Sequence, residues 1–246
     1  MRRILSGEVT CAMKFLAEIQ KFRDALIKSD IGAQITKVVW FGSTLKKRGR
    51  KESDVDVLIV TTDGAPLRDR IADILLDFQM EAQVPLEIVT SSVDDLYPLT
   101  DPFLKNILTY GQEVYSMPAR ELKHSAARHY LSLAQEYYDA AEDTLQRGHY
   151  RLALDGAYNA AELAVEGFLV LKILDLPGSN GGLAQRFGEL YIKPGTIDRA
   201  VGRRLNRSLE LRNAARYKFT ATVSQEDASS VLSLAEDLIA LLEKKL

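Results

Sequence analysis

The chain has 246 residues, enough for one large domain or two of ordinary size. Its 46% apolar and 27% charged content can bury a core, and a net charge of −2 leaves any nucleic-acid or membrane partner to a local patch. The single Cys11 excludes an internal disulfide framework and fits a reducing cytoplasm; neither a signal-length apolar run after Arg2 and Arg3 nor a membrane-length one is present.

Ala12, Phe15, Leu16, Ile19, Phe22 and Leu26 recur at helical spacing and predict an amphipathic opening helix. Residues 36–41 are β-branched and aromatic and stop at Gly42, which predicts a strand with Trp40 and Phe41 as core residues. Residues 55–60 and 84–89 predict two further strands. Between them, Leu67, Ile71, Ile74, Leu75 and Phe78 line one face of a helix over 66–81, with Pro66 as its opener. A short helix pattern after Asp101-Pro102 leads to a strand-like stretch at 113–115.

The texture changes around 116–119. Helices are predicted over 120–145, 151–174, 183–191, 197–216 and 225–242. Turn signals at Arg147-Gly148, 177–182 and Pro194-Gly195 separate them, and Ser224 with Glu226 suits the start of the last helix. The expected organisation is an α+β unit over 1–116, a small mixed sheet with flanking helices, then an all-α bundle over 117–246. His124, His129 and His149 show no metal-ligand spacing.

Asp54 and Asp56 stand two apart at the mouth of a strand, so both side chains point to one face with α-carbons roughly 6.5–7 Å apart. Carboxylates so placed can hold a divalent cation that shares its shell with substrate phosphates. Glu87 offers a third carboxylate from another strand, as metal ligand or as the base for an attacking hydroxyl. Upstream, Gly42 lets backbone amides approach an anion and Ser43 adds a hydroxyl donor. A lone Asp-x-Asp or Gly-Ser says little; the ordered combination is specific. The basic loop of Lys46, Lys47, Arg48, Arg50 and Lys51 reads equally as a phosphate-steering element or as a solvated surface.

Gly42-Ser43, ten residues, then Asp54-Val55-Asp56 resembles the motif of the polymerase-β-like nucleotidyltransferases, in particular the minimal nucleotidyltransferases. The resemblance implies Mg²⁺ (or Mn²⁺) at Asp54 and Asp56, a third acid at Glu87, and a nucleoside triphosphate held near Gly42 and Ser43.

In the helical half, Arg212 and Arg216 stand one turn apart, with Asn213 beside Arg212. By spacing alone this is either a phosphate grip or a charged face closing a helix. The segments Gly181-Gly-Leu-Ala-Gln-Arg-Phe-Gly188 and Arg212-Asn-Ala-Ala-Arg-Tyr217 resemble a HEPN domain, which often accompanies minimal nucleotidyltransferases. The ribonuclease members of that family use Arg and, a few residues on, His; here Tyr217 holds that position and no histidine follows. A tyrosine cannot supply imidazole acid–base chemistry near neutral pH. The resemblance still implies RNA, nucleotide or dimer contacts at Arg212 and Asn213, with Tyr217 open as a target for AMP.

The expectation is a cytoplasmic, Mg²⁺-dependent transferase moving AMP from ATP to a hydroxyl of a protein or small molecule, in a toxin–antitoxin-like setting and as a homodimer through its helices. The catalytic-domain-plus-bundle plan also resembles aminoglycoside nucleotidyltransferases. The rival reading is a non-catalytic dimeric module that binds nucleotide or RNA; a HEPN ribonuclease is disfavoured by the missing histidine.

Overall fold

The computed structural model describes residues 2–45, 54–62, 67–82, 85–96, 99 and 101–246, with side chains from residue 14 onward. The chain divides into two compact units, Met1–Leu122 and Lys123–Leu246.

The first unit runs α1 (Arg2–Lys28), β1 (Ile35–Phe41), the short turn α2 (Gly42–Leu45), β2 (Val55–Thr61), α3 (Arg68–Glu81), β3 (Leu86–Ser92), α4 (Pro102–Tyr110) and β4 (Gln112–Ser116). The sheet order is β3-β2-β1-β4. β1 pairs antiparallel with both β2 and β4, while β2 and β3 are parallel, so the sheet is mixed as expected. Phe15, Ile19, Phe22 and Leu26 of α1 and Ile71 and Ile74 of α3 pack on one sheet face, against Val38, Trp40, Val55, Val57 and Ile59. The opposite face buries Val39, Leu58 and Val60 beneath Leu104 and Ile107 of α4. Each such side chain contributes about 1.5–3 kcal/mol on burial. Strand β2, covered on both faces, is accordingly apolar along almost its whole length. Asp101 caps α4 by accepting from the Phe103 amide at 2.7 Å, with Pro102 at the first helical position. The expected opener Pro66 and the start of the third strand at Val84 lie outside the described residues.

The helix α5 (Ala119–Gln146) leads into α6 (Tyr150–Val170), α7 (Asn180–Phe187), α8 (Arg199–Tyr217) and α9 (Gln225–Glu243). Phe168, Phe187 and Tyr191 form an aromatic knot with ring centroids 5.1–5.6 Å apart, and the Tyr191 hydroxyl donates to the Phe168 carbonyl at 2.5 Å. Two local expectations change. Gly181 and Gly182 lie inside α7 rather than in a turn, because the Ser179 hydroxyl accepts from the Gly182 amide and starts the helix early. α6 ends at Val170, although Leu171 and Ile173 continue the apolar pattern by packing on the same core from a turn. The last helix begins on a full capping box, Ser224 with Asp227. Among the described residues, no helix is long and apolar enough to cross a membrane.

Candidate active site

The parity of β2 decides where its acids point. Val55, Val57 and Ile59 face α1 and α3, so Asp56 lies on the other face with Leu58 and Val60, at the strand's entrance. The β2–β3 register sets Asp56 directly beside Glu87, and neighbours across a parallel pair share a face about 5 Å apart. Asp54 immediately precedes the strand; the hydrogen bond from the Val55 amide to the Pro85 carbonyl, at 3.0 Å, fixes this end of the pair. Asp54 and Glu87 are exposed and Asp56 is half-buried.

The Asp56 carboxyl is pushed above the usual carboxylate range, chiefly by desolvation, then by the negative charges of Glu87 and Asp54. The backbone amide of Ser43 opposes this by donating a hydrogen bond to it. Asp56 thus sits between two further acids at the end of the sheet. Among the described residues, no group of three or more His, Cys, Asp or Glu side chains is gathered tightly enough to hold a metal ion by itself. Oxygen donors that crowd one another, but leave coordination positions to phosphates, are the set that suits Mg²⁺ or Mn²⁺. By donor type, Asp54 and Asp56 fit a divalent cation whose shell is completed by phosphate or water rather than by a full set of protein ligands.

Gly42 follows the residue paired with Asp56, since β1 sets Phe41 opposite it. Its φ of 82° is a left-handed conformation that glycine adopts without strain. A Cβ there would also collide with Oδ2 of Asp56. The carboxylate therefore rests against the glycine, and the Ser43 amide closes over it. The sequence pattern assigns Gly42 and Ser43 to phosphate alone; their backbone also seats Asp56, while the Ser43 side chain stays exposed. The basic residues Lys46, Lys47, Arg48, Arg50 and Lys51 lie outside the described residues.

The second motif has a different character. Arg212 is turned inward: its Nε lies 3.2 Å from Oδ1 of Asp155, with Arg216 at 3.6 Å from the same oxygen. Its guanidinium also sits 5.6 Å from the Tyr158 ring centroid. The Nε–Oδ1 pair is close in distance but not aligned as a hydrogen bond, so the contact is mainly coulombic. Burial, opposed by Arg212 and by a hydrogen bond with Tyr158, raises the Glu162 carboxyl. The Tyr158 hydroxyl, raised far above its ordinary value by burial and then by the Glu162 charge, lies near the Asn180 side chain, whose Nδ2 is buried without a hydrogen-bond partner. Asn213 and Tyr217 face solvent. Asp155, Tyr158, Glu162 and Asn180 escaped sequence reasoning. For Asp155, Tyr158 and Glu162 the available signal was polar residues at helical spacing along the otherwise apolar α6; Asn180, at the start of α7, had none.

Residues 19–110 match the nucleotidyltransferase domain family, and residues 127–245 match the HEPN domain family. A curated protein of Methanocaldococcus jannaschii, named "Putative toxin MJ0605", is 29% identical over 116 residues, covering 47% of this chain and 85% of that protein. Among solved structures, spectinomycin adenyltransferase AAD(9) from Enterococcus faecialis, with ATP and spectinomycin, aligns over 92% of this chain and 98% of that one. The identity is 12% and the TM-score 0.32, too loose a likeness to carry an argument.

Proposed function

The chain is a nucleotidyltransferase domain followed by a HEPN domain, and we propose that its first domain transfers AMP from ATP to a hydroxyl acceptor at Asp54, Asp56 and Glu87. The observation carrying this reading is the register pair Asp56–Glu87, which brings a second strand's acid beside the Asp54–Asp56 pair. Asp54 and Asp56 would hold the divalent cation that nucleotidyltransferases of this fold generally use, Mg²⁺ or Mn²⁺. Once bound, that ion neutralises charge on the α-phosphate and the pyrophosphate leaving group. Glu87 either completes the ligand set or accepts the proton of the attacking hydroxyl. That oxygen forms a bond to the α-phosphorus as the bond to the bridging oxygen breaks, giving an AMP ester and pyrophosphate. The exposed Ser43 hydroxyl donates to a phosphate oxygen, while the turn it belongs to keeps Asp56 in place.

The bundle has a binding role in this reading. Arg212 is only 11% exposed and is held by Asp155, so it is poorly placed to receive an RNA phosphate. The exposed Asn213, Tyr217 and Phe219 suit contact with a second copy of the chain. The relative named as a putative toxin supports a toxin–antitoxin-like setting; a cytoplasmic location and a protein or small-molecule acceptor complete the proposal.

The test incubates the full chain with Mg²⁺, α-labelled ATP and candidate acceptors, beside Asp54→Asn and Asp56→Asn. Label transfer lost in both variants supports the reading. Transfer that survives either change removes that acid from the catalytic set, and Mg²⁺-dependent ATP binding with no acceptor ever labelled favours the non-catalytic module.

A further inference from the structure

Two buried side chains stand behind the turn that seats Asp56. The Trp40 indole N–H donates to the Thr44 hydroxyl at 3.0 Å, with Trp40 2% and Thr44 4% exposed. An indole N–H so deep in a core has to find a partner, and leaving it unmet is costly. Trp40 is fixed independently of this bond. It sits in the central strand β1, paired with Val57 on one side and Gln112 on the other, and packs in the core beneath α1.

The helical turn α2 has only four residues, so it gains little from internal hydrogen bonding. What holds it comes from outside. Gly42 sets the turn's departure from β1 by its φ of 82°, and Leu45 packs against the core at the far end. Between these, Thr44 is tied down to Trp40 on the buried side, which leaves Ser43 on the solvent side with its amide directed at the Asp56 carboxylate.

We propose that Trp40 and Thr44 are positioning residues: their buried hydrogen bond holds the α2 turn so that the Ser43 amide meets Asp56 and fixes that carboxylate for cation binding. The inference rests on reading Asp54 and Asp56 as the cation site. Hydrogen bonds to ligating carboxylates act on affinity from outside the ligand set, and their loss weakens metal binding. Thr44→Val removes the acceptor while keeping a similar shape, and Thr44→Ser keeps the hydroxyl. Trp40→Phe removes the donor from the other end.

The experiment uses the full chain and two readouts. The first is amide hydrogen exchange at Ser43 in metal-free protein, followed by NMR. Thr44→Val and Trp40→Phe should each speed exchange at Ser43 about tenfold, with Thr44→Ser close to wild type. The second is calorimetric binding of Mn²⁺ alone, well below the melting temperature. Its Kd should rise about tenfold in Thr44→Val and Trp40→Phe and stay near wild type in Thr44→Ser. Should Thr44→Val fail to fold, Trp40→Phe carries the comparison. Unchanged Ser43 exchange and unchanged Mn²⁺ affinity in the donor- and acceptor-loss variants overturn the proposal. So does an equal loss in Thr44→Ser, which would mark a packing effect. Wild-type protein that binds no Mn²⁺ overturns the cation-site reading instead, and the exchange data alone then judge the latch.

Discussion

The molecule contains two clusters of charge, and they are built on opposite principles. At the end of β2 and β3, Asp54, Asp56 and Glu87 lie without a basic partner among the described residues, and burial first, then the Glu87 and Asp54 charges, raise the Asp56 carboxyl. In the bundle, Arg212 is met at once by Asp155, and Glu162 lies close enough for Arg212 to oppose its upward shift. The first cluster stores like-charge repulsion that a cation and a phosphate can relieve. The second spends its charges on one another and holds α6 to α8. On the proposed reading, the uncompensated acids are the ones that would take a ligand, while the compensated charges belong to the framework.

The comparison breaks most sharply in mutants that touch only one cluster. Asp54→Asn or Asp56→Asn should lower kcat/KM for AMP transfer about 10³-fold or more, with the fold intact by circular dichroism. Gly42→Ala should cost about 10²-fold in transfer, because its Cβ drives the Asp56 carboxylate out of place. The same change adds about 1–2 kcal/mol of backbone strain, read by chemical denaturation. Glu87→Gln should lose about 10- to 10²-fold in kcat and leave the bundle's stability unchanged.

Arg212→Ala reverses the pattern. It leaves Asp155 with Arg216 alone and should cost about 1–3 kcal/mol of stability in urea unfolding, while the protein that remains folded keeps its transfer rate. The smallest effect concerns Glu166. Burial first, and the Glu162 charge next, push its carboxyl up to about 7, so the folded state keeps a proton that the unfolded chain has released. Stability from this group therefore falls as pH rises from the ordinary carboxylate range through about 7. Glu166→Gln should raise the melting temperature by about 2–4 °C near pH 8 and leave it unchanged near pH 4.

Local chemistry explains what the sequence made legible. The spacing of Phe15, Ile19, Phe22 and Leu26 identifies a helix face whichever sheet it lands on, and Ser224 reads as a cap because its acceptor is within the same turn. The pairing of Asp56 with Glu87 was legible only as a condition, since it depends on β3 lying parallel beside β2 in one particular register. The second duty of Gly42 was hidden for a similar reason: its neighbour Asp56 arrives from the next strand. Arg212 is legible as a motif residue but not as a half-buried one paired with Asp155, because Asp155 belongs to a different helix. The end of α6 is not legible because Leu171 and Ile173 stay apolar after the helix stops, and periodicity registers burial rather than hydrogen bonding.

Equilibrium binding of ATP to the full chain tests the division between the two clusters most directly. It should be measured with and without Mg²⁺, in wild type, Asp56→Asn, Asn213→Ala and Tyr217→Phe. The account predicts ATP binding that needs Mg²⁺, is lost in Asp56→Asn, and is untouched by the two bundle changes. Tight Mg²⁺-dependent binding that persists in Asp56→Asn, or that disappears in Asn213→Ala or Tyr217→Phe, would contradict it.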